Sequence, residues 1–529
     1  MSFAKTHSAQ TNLLKAQIID IEVDLSKGLH SFSIVGLPDK AVEESRDRIS
    51  AAIKNSGFKS PKNKNQKVVI ALAPADIKKE GPTFDLAMAL GYLLASKDID
   101  FDPAGKIFLG ELSLDGDLRK INGTLPLIIK AKASGFKEVF LPAENAEEGA
   151  LIDGIKIFGA KSLKEVIEHL DESKKEEKEI TGNEKKLKIK LKPQNKTEID
   201  YEEDEYKIDF ADIKGNEGTK RGLEIAAAGG HNVAMYGPPG TGKTMLAKAF
   251  CHLLPNLSFD EILEVTSIHS VAGNLKENLV VYPPFRSPHH TSSYVSLVGG
   301  GTIPKPGEIT LAHKGVLFLD EFPEFDRRVI DSLRQPLEDK IISVSRAKGT
   351  AHFPANFILI AAMNPCPCGN FGAKDKECIC SPLNLNRYQK KISGPIIDRI
   401  DLWMEVSKVE HERLMDKKGE EEKTEQIRKR ISKAREIQES RFKKNNLDIK
   451  TNSEMSSKNL VNLINLNKEV KDLLDQSAKK LDLSARAYHR IVKIARTIAD
   501  LENSKEILTP HILEAIQYRP KNIFSGKNY

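Results

Sequence analysis

The chain has 529 residues, of which 40% are hydrophobic and 29% are charged. This length is too great for one hydrophobic core and predicts roughly two to four domains, and the composition is that of a globular protein. No window approaches about 18 uncharged apolar residues, and the first residues lack the apolar core of a secretory signal. We therefore expect a cytoplasmic protein without a membrane partner. The net charge of +6 favours an anionic partner only slightly.

The composition along the chain predicts four segments. Residues 1–171 form the first domain, which ends where the sequence becomes nearly all charged. Residues 172–209 contain few apolar side chains and no sustained period, which is typical of a linker. A nucleotide-binding core is expected over 210–409, and a helical domain over 410–529.

The stretch NVAMYGPPGTGKTMLAKAF, residues 232–250, predicts a phosphate-binding loop between an apolar strand and a helix. Its glycines let backbone N–H groups surround phosphates at a helix N-terminus, where the helix dipole favours anions. Lys243 is expected to reach the β- and γ-phosphates of ATP, and the Thr244 hydroxyl to ligate Mg²⁺. The expected nucleotide-binding residues are Gly237, Pro238, Pro239, Gly240, Thr241, Gly242, Lys243 and Thr244, together with Asp320.

Two later apolar strands end in polar side chains. GVLFLDE, residues 315–321, ends in two carboxylates: Asp320 is expected in the Mg²⁺ shell, and Glu321 is expected to polarise the attacking water. FILIAAMN ends at Asn364, whose amide is placed to position water against the γ-phosphate. In a parallel sheet, ligands gather at the carboxyl ends of the strands.

Between these strands, ISVSRAKGTAHF predicts a β-hairpin. Ile342 and Val344 alternate with serines, RAKG supplies the turn, and TAHF returns. Arg346 and Lys348 lie near the tip, where two cations suit contact with phosphates of an anionic partner. The alternative is an exposed basic turn with no partner.

Four of the five cysteines are spaced C-x-C-x9-C-x-C. They are Cys366, Cys368, Cys378 and Cys380. Four thiolates suit a closed tetrahedral zinc site, although this spacing is tighter than the usual C-x2-C. The alternative is a group of reduced cysteines in a loop.

Two helices are predicted near the C-terminus. Residues 417–446 form a long polar helix with isoleucines among charged residues. In DLSARAYHRIVKIARTIADL, Ser484 is the expected N-cap, and Ile491, Ala495 and Ile498 recur at helical spacing.

The order of phosphate loop, acidic strand end and polar strand end resembles an AAA+ ATPase. Residues 284–325, with LEIAAAGGHNV, AAMNPCPCG and the hairpin region, resemble the magnesium-chelatase-like AAA+ proteins of the ComM/YifB group. The resemblance runs from about residue 17 to the C-terminus, except for the linker and the region after Val409. It implies an α/β fold with an AAA+ P-loop core and a helical lid.

The resemblance also implies roles for three arginines. Arg399 stands where magnesium-chelatase- and MCM-like ATPases carry the arginine finger, which reaches the γ-phosphate bound to a neighbouring subunit. Arg486 matches the family's second sensor on the lid helix. Arg346 aligns with the basic hairpin residue of MCM-like helicases. Without the resemblance, Arg399 and Arg486 would be interpreted as surface salt-bridge residues.

The first domain resembles the α+β domain of Lon proteases, which has the fold of ribosomal protein S5 domain 2. Lon-type proteolysis needs a serine nucleophile and a lysine base. Here Thr83 stands at the serine position and Leu125 at the lysine position. A hydroxyl without a base is inert, so we expect a non-proteolytic scaffold.

The family resemblance implies an ATP-hydrolysing homo-hexamer that moves on DNA as a branch-migration helicase during recombination or natural transformation. Its expected ligands are ATP, Mg²⁺ and DNA that is single-stranded or branched, with zinc as the structural metal if the four cysteines form a metal site. The alternatives are a protein-remodelling ATPase and a magnesium-chelatase subunit, although the latter usually lacks the Lon-like domain.

Overall fold

The computed structural model describes residues 2–172, 190–199, 201, 208–275, 279–301, 305–346, 349–372, 376–409 and 422–520. The chain forms two compact units. The first comprises Met1–Asp200 and Ile262–Val280, and the second comprises Tyr201–Glu261 and Val281–Tyr529. The predicted core at 210–409 has no internal boundary, so the grouping of Ile262–Val280 with the first unit is seen only in the structure.

The first unit begins with a four-stranded sheet. Alternation of apolar and polar residues buries Ile19, Ile21, Val23 and Leu25 of its second strand on one face. The helices Lys40–Asn55 and Asp85–Ala95 belong to the same core. The strands, in sheet order, are Ser2–Asn12, Lys15–Lys27, Gln66–Ala73 and Ser31–Val35, with the last pair parallel and the others antiparallel.

A smaller parallel sheet completes the first unit. Its strands are buried because helices cover it, as parallel sheets require. The strands are Lys106–Phe108, Glu138–Pro142 and Lys156–Ala160, and the helices are Thr124–Ala133, Ala146–Gly149 and Leu163–Leu170. A short antiparallel ladder joins Glu111–Leu112 to Leu118–Arg119. 3₁₀ turns lie at Pro61–Asn63, Pro82–Phe84 and Ala143–Asn145.

The core of the second unit is a five-stranded parallel sheet. Its central strands are uniformly apolar and buried, as expected for strands covered on both faces. The strands, in sheet order, are Phe285–Arg286, Val316–Leu319, Ile358–Met363, Val233–Tyr236 and Leu402–Glu405. The three predicted core strands are therefore adjacent, and their carboxyl ends meet at one edge.

Helices and small ladders surround this sheet. The helices are Glu217–Gly229, Lys243–Leu253, Tyr294–Val298, Glu308–Leu311, Arg327–Ser332, Arg334–Asp339, Pro382–Gln389 and Gly394–Ile397. A further helix, Phe259–Ala272, begins in the second unit and ends in the first. 3₁₀ turns lie at Phe210–Asp212, Phe322–Glu324 and Asn452–Glu454. A two-residue ladder pairs Gly299–Gly300 with Lys305–Pro306. The predicted hairpin is present, with Ile341–Arg346 antiparallel to Gly349–Pro354.

The C-terminal part of the second unit is helical. Its helices are Thr424–Lys444, Ser457–Leu463, Lys468–Lys480, Ala485–Leu501 and Thr509–Gln517. Ser484 is the predicted N-cap, accepting a hydrogen bond from the Ala487 N–H at 3.2 Å. Ile491, Ala495 and Ile498 are buried, as their spacing predicts. In the described part of the chain, no helix is long and apolar enough to cross a bilayer.

Much of the predicted linker lies outside the described residues, as does the start of the predicted polar helix at 417–421. The part of the linker at 190–199 is hydrogen-bonded to the first unit. The Gln194 N–H donates to the Ile157 carbonyl at 2.8 Å, and the Thr197 N–H donates to the Ala150 carbonyl at 3.2 Å. Part of this charged segment therefore follows the surface of the domain that precedes it.

Candidate functional site

The phosphate loop joins the buried strand Val233–Tyr236 to the helix Lys243–Leu253. Gly240 and Gly242 have φ of +77° and +87°, a left-handed conformation that suits glycine. Gly237 is needed for a different reason, because a Cβ there would lie 2.1 Å from the Val406 carbonyl oxygen. These backbone constraints place the helix N-terminus at the carboxyl edge of the sheet, where an anion would be stabilised.

The Lys243 ammonium group lies inside this loop. Its Nζ donates to the carbonyl oxygens of Gly237 and Pro238 at 2.8 Å each, and lies 3.4 Å from Oδ1 of Asn364. Burial lowers the pKa of Lys243, and the nearby Asp320 carboxylate opposes that effect. The structure therefore brings the loop lysine and the polar end of the third predicted strand together.

Thr244 and Asp320 form a pair of oxygen donors. The Thr244 hydroxyl donates to Oδ2 of Asp320 at 2.9 Å. Oδ1 of the same carboxylate accepts from the Glu321 backbone N–H at 2.9 Å. A hydroxyl and a carboxylate at the mouth of a phosphate loop are the oxygen ligands that Mg²⁺ prefers, so these residues fit the predicted cation.

Glu321 follows directly and has a left-handed backbone with φ of +51°. One of its carboxylate oxygens lies 3.0 Å from Nδ1 of His290, and its side chain is 56% exposed. His290 was not singled out as a site residue. The signal available for it was its position inside the segment 284–325, which carries much of the family resemblance.

Arg399 and Arg486 lie together, and both contact Glu338. Arg399 forms an ion pair with that carboxylate and also donates to the Pro395 carbonyl at 2.8 Å. Arg486 lies 3.4 Å from the other oxygen of Glu338. Within the described residues, neither guanidinium group forms a hydrogen bond or ion pair with the phosphate loop of its own chain.

The four predicted cysteines converge. Their sulfur atoms all lie within 4.8 Å of one another. Cys366 Sγ is 3.3 Å from that of Cys368 and 3.8 Å from that of Cys378. Tetrahedral zinc with Zn–S bonds of about 2.3 Å separates its sulfurs by about 3.8 Å. The cluster therefore fits a four-thiolate metal site. A backbone N–H from Asn370 lowers the pKa of Cys368 to about 6, whereas the pKa values of Cys366, Cys378 and Cys380 are raised.

The cysteine loop adjoins the phosphate loop. A Cβ on Gly369 would lie 2.6 Å from Cδ of Pro239, so the two backbones approach closely. The Tyr388 hydroxyl, in the helix that follows the cysteines, donates to the Asn364 carbonyl at 3.2 Å. The loop that carries the thiols thus packs against two parts of the candidate nucleotide site.

A cavity of 490 Å³ lies beside Tyr236, the residue that precedes the phosphate loop. Asn216, Thr219, Glu405 and Ser407 contribute to its walls. This cavity cannot be predicted from local sequence patterns, because its walls come from segments far apart along the chain. The signal available in the sequence was the Gly-Asn pair at 215–216, a turn dipeptide, and Asn216 has a left-handed φ of +57° at the start of a helix.

The remaining predicted residues are the two cations of the hairpin and the two positions that correspond to the Lon catalytic pair. Arg346 ends the first strand of the hairpin, but its side chain and the whole of Lys348 lie outside the described residues. Thr83 is partly exposed in the turn Pro82–Phe84. Leu125 is fully buried in the first unit.

Comparison with known proteins covers nearly the whole chain. Residues 209–414 match the family described as "Magnesium chelatase, subunit ChlI", residues 21–145 match "Subunit ChlI of Mg-chelatase", and residues 421–519 match its C-terminal family. The chain is 40% identical to Competence protein ComM of Haemophilus influenzae over 98% of both chains. It is 39% identical to YifB of Escherichia coli, covering 98% of this chain and 97% of YifB.

Part of the chain also resembles a Lon protease. In an alignment 167 residues long that covers 29% of each chain, it is 31% identical to Lon protease 2 of Bacillus subtilis. The expected family is confirmed: the chain belongs to the magnesium-chelatase-like family that includes ComM and YifB.

Proposed function

We propose that this chain hydrolyses ATP with Mg²⁺ at the carboxyl edge of the five-stranded sheet. The observation that carries the proposal is the convergence of Lys243, Thr244, Asp320 and Asn364, which lie in the segments that follow three adjacent strands. The N–H groups at the helix N-terminus and the Lys243 ammonium group would bind the phosphates. Thr244 and Asp320 would hold Mg²⁺, which neutralises charge on the β- and γ-phosphates.

Glu321 is the general base in this proposal. Its carboxylate would accept a proton from water as that water attacks the γ-phosphorus, and ADP would leave with the β-phosphate oxygen. Asn364 would orient the same water. The nucleoside base would occupy the 490 Å³ cavity beside Tyr236, because that cavity adjoins the start of the phosphate loop.

Arg399 and Arg486 act across a subunit interface. Both side chains contact Glu338 and neither contacts its own chain's phosphate loop in the described region, which supports action on a neighbour's nucleotide. A guanidinium group that reaches the γ-phosphate stabilises transition-state charge and contributes about 10³-fold or more to kcat. A closed ring, which we propose to be a hexamer, supplies such a neighbour at every site.

The work done by hydrolysis is movement on DNA. The hairpin Ile341–Pro354 directly precedes the strand that ends beside Asn364, so its position would respond to the nucleotide. Arg346 and Lys348 would grip the backbone phosphates, independent of sequence and sensitive to salt. We propose branch migration or helicase activity in recombination, and Zn²⁺ as the metal of the four cysteines.

The test is the ATPase rate of purified protein without DNA and with single-stranded, duplex or four-way-junction DNA. We expect Mg²⁺-dependent hydrolysis that rises with DNA, most with single-stranded or branched forms. Hydrolysis that no DNA form stimulates would exclude the DNA motor and favour a protein-remodelling ATPase. Absence of Mg²⁺-dependent hydrolysis would exclude the nucleotide site itself.

A further inference from the structure

The short helix Arg334–Asp339 touches the hairpin at one end. Gln335 forms two hydrogen bonds with Ser343 in the first hairpin strand. Its amide Nε2 donates to the Ser343 hydroxyl at 3.1 Å, and its Oε1 accepts from the Ser343 backbone N–H at 3.3 Å. Because the contact includes the backbone of Ser343, it holds the strand itself rather than one side chain.

The other end of the same helix holds both arginines. One oxygen of Glu338 pairs with Arg399, and the other lies 3.4 Å from Arg486. The Arg399 side chain is only 12% exposed, whereas that of Glu338 is 50% exposed. The carboxylate is therefore the accessible partner, and an anion that enters here meets Glu338 before it reaches Arg399.

Two further contacts fix this helix to its surroundings. Arg334 donates to the Ser393 hydroxyl at 3.1 Å, and Ser393 is the N-cap residue of the short helix before Arg399. At its C-terminus, Lys340 turns with φ of +58°, and its carbonyl accepts from the Ala355 N–H at 2.8 Å. Displacement of either hairpin strand would therefore move this helix and, through Ser393, the segment that carries Arg399.

The surroundings of Glu338 favour an anion. Glu338 lines a cavity of 760 Å³, whose walls include seven lysine and arginine residues, among them Arg399 and Arg486, and four carboxylates, one of which, Asp401, pairs with Arg490. A phosphate carries more negative charge than one carboxylate and offers more acceptor oxygens to guanidinium groups. A triphosphate presented by a neighbouring subunit would therefore compete with Glu338 for the same two arginines.

We propose that helix Arg334–Asp339 couples the hairpin to the two arginines, and that Glu338 is the internal carboxylate that pairs with them until a neighbour's triphosphate replaces it. This inference rests on the proposed function. Glu338 is a positioning residue, since it acts only through Arg399 and Arg486. Movement of the hairpin on DNA pulls Gln335, shifts the helix and frees the arginines.

The test compares Glu338→Gln with Asp339→Asn. Asp339 is the adjacent exposed carboxylate and makes no hydrogen bond or ion pair among the described residues, so its variant removes the same charge without touching the arginines. Glu338→Gln should raise the DNA-free ATPase rate by roughly two- to fivefold, the range set by one exposed ion pair. It should also remove most of the stimulation by single-stranded DNA, whereas Asp339→Asn should behave as wild type.

Two combined variants test the direction of coupling. Gln335→Ala should reduce DNA stimulation while single-stranded DNA still binds, and Gln335→Ala with Glu338→Gln should match Glu338→Gln alone, since residues in one pathway are not additive. The increase caused by Glu338→Gln should disappear in Arg399→Ala. Unchanged thermal unfolding will show that Glu338→Gln is folded, as expected for a half-exposed site.

Three results would overturn the coupling: equal effects of Glu338→Gln and Asp339→Asn, a lowered DNA-free rate in Glu338→Gln, or additive losses in the Gln335 and Glu338 double variant. The wild-type protein separates this inference from the proposed function. If wild type does not hydrolyse ATP, the nucleotide site is wrong and the coupling falls with it. If wild type hydrolyses ATP and is stimulated by DNA, the results for the variants test only the proposed coupling, because the nucleotide site is then established.

Discussion

Nδ1 of His290 lies 3.0 Å from a carboxylate oxygen of Glu321, the proposed general base. Glu321 is not held by burial, because its side chain is 56% exposed. It occupies a left-handed backbone position that costs a non-glycine residue about 1 kcal/mol or more. The imidazole therefore provides the polar contact that orients a carboxylate at an exposed strand end.

Replacement of His290 tests this orientation. We expect His290→Gln to lower kcat by about tenfold while KM for ATP changes little, because the reacting carboxylate is misplaced but the phosphate contacts remain. His289→Gln is the matched control. The His289 ring lies 4.2 Å from the ring of His290 and bonds to Thr291 rather than to Glu321. Equal kcat losses in both variants would indicate that the loop, not the His290 contact, is required.

Replacing Lys243 and replacing Glu321 should impair different steps, ATP binding in the first case and hydrolysis in the second. Lys243→Ala removes the buried ammonium group and should abolish ATP binding, measured with a fluorescent nucleotide. Glu321→Gln should bind ATP with near-normal affinity but hydrolyse it about 10²- to 10⁴-fold more slowly, since only proton acceptance is lost. Near-normal turnover in both variants would refute the site.

Arg399 should act on a neighbouring subunit. Lys243→Ala and Arg399→Ala should each be nearly inactive alone, but mixing the two should recover part of the ATPase rate. Recovery is expected because a mixed ring contains interfaces with an intact Lys243 site facing an intact Arg399. The measurement is ATPase rate against mixing ratio. A dilute monomer that hydrolyses ATP at the full rate would contradict the role across the interface.

The sequence was sufficient where a structural feature is specified by a contiguous motif. The phosphate loop, the strand ends at Asp320 and Asn364, the N-cap at Ser484 and the hairpin strands all follow from local patterns, and the structure contains them. The roles of Arg399 and Arg486 came only from resemblance to a family.

The residues that were missed act across long sequence separations. Glu338 contacts arginines 61 and 148 residues away, and no local period marks such pairs. The same applies to Ile262–Val280, which lies inside the predicted core yet groups with the first unit. Hydrophobic periodicity determines which face of a helix is buried, but it does not determine which distant surface covers that face.

Metal removal should affect both stability and nucleotide binding. Purified protein should contain about one zinc per chain by elemental analysis. Cys368→Ser should lose the metal, lower the unfolding temperature and weaken ATP binding, because the cysteine loop packs on Pro239. Cys251→Ser is the control, since Cys251 lies outside the cluster and bonds to the Pro283 carbonyl. A metal-free wild-type protein of unchanged stability would identify the cysteines as ordinary loop residues.

The hairpin provides the most direct test of the DNA motor. Changing Arg346 and Lys348 together to Ala should leave the DNA-free ATPase rate largely intact, because neither residue belongs to the proposed nucleotide site. DNA-stimulated ATPase and strand movement should fall. The slope of log binding constant against log salt should become less steep by roughly 0.7 for each phosphate of single-stranded DNA that the variant no longer neutralises.

A charge-matched control distinguishes DNA contact by the hairpin from the general effect of the protein's net positive charge. Lys479 and Lys480 are exposed at the end of helix Lys468–Lys480, so changing both to Ala removes the same two charges at a different place. If the control reduces DNA affinity as much as the hairpin variant does, the DNA is bound by diffuse positive charge. If the hairpin variant migrates branches at the wild-type rate, the hairpin is not the gripping element. The expected result is loss of movement in the hairpin variant alone, because only a cation carried by an element linked to the nucleotide site can convert hydrolysis into displacement of the phosphate backbone.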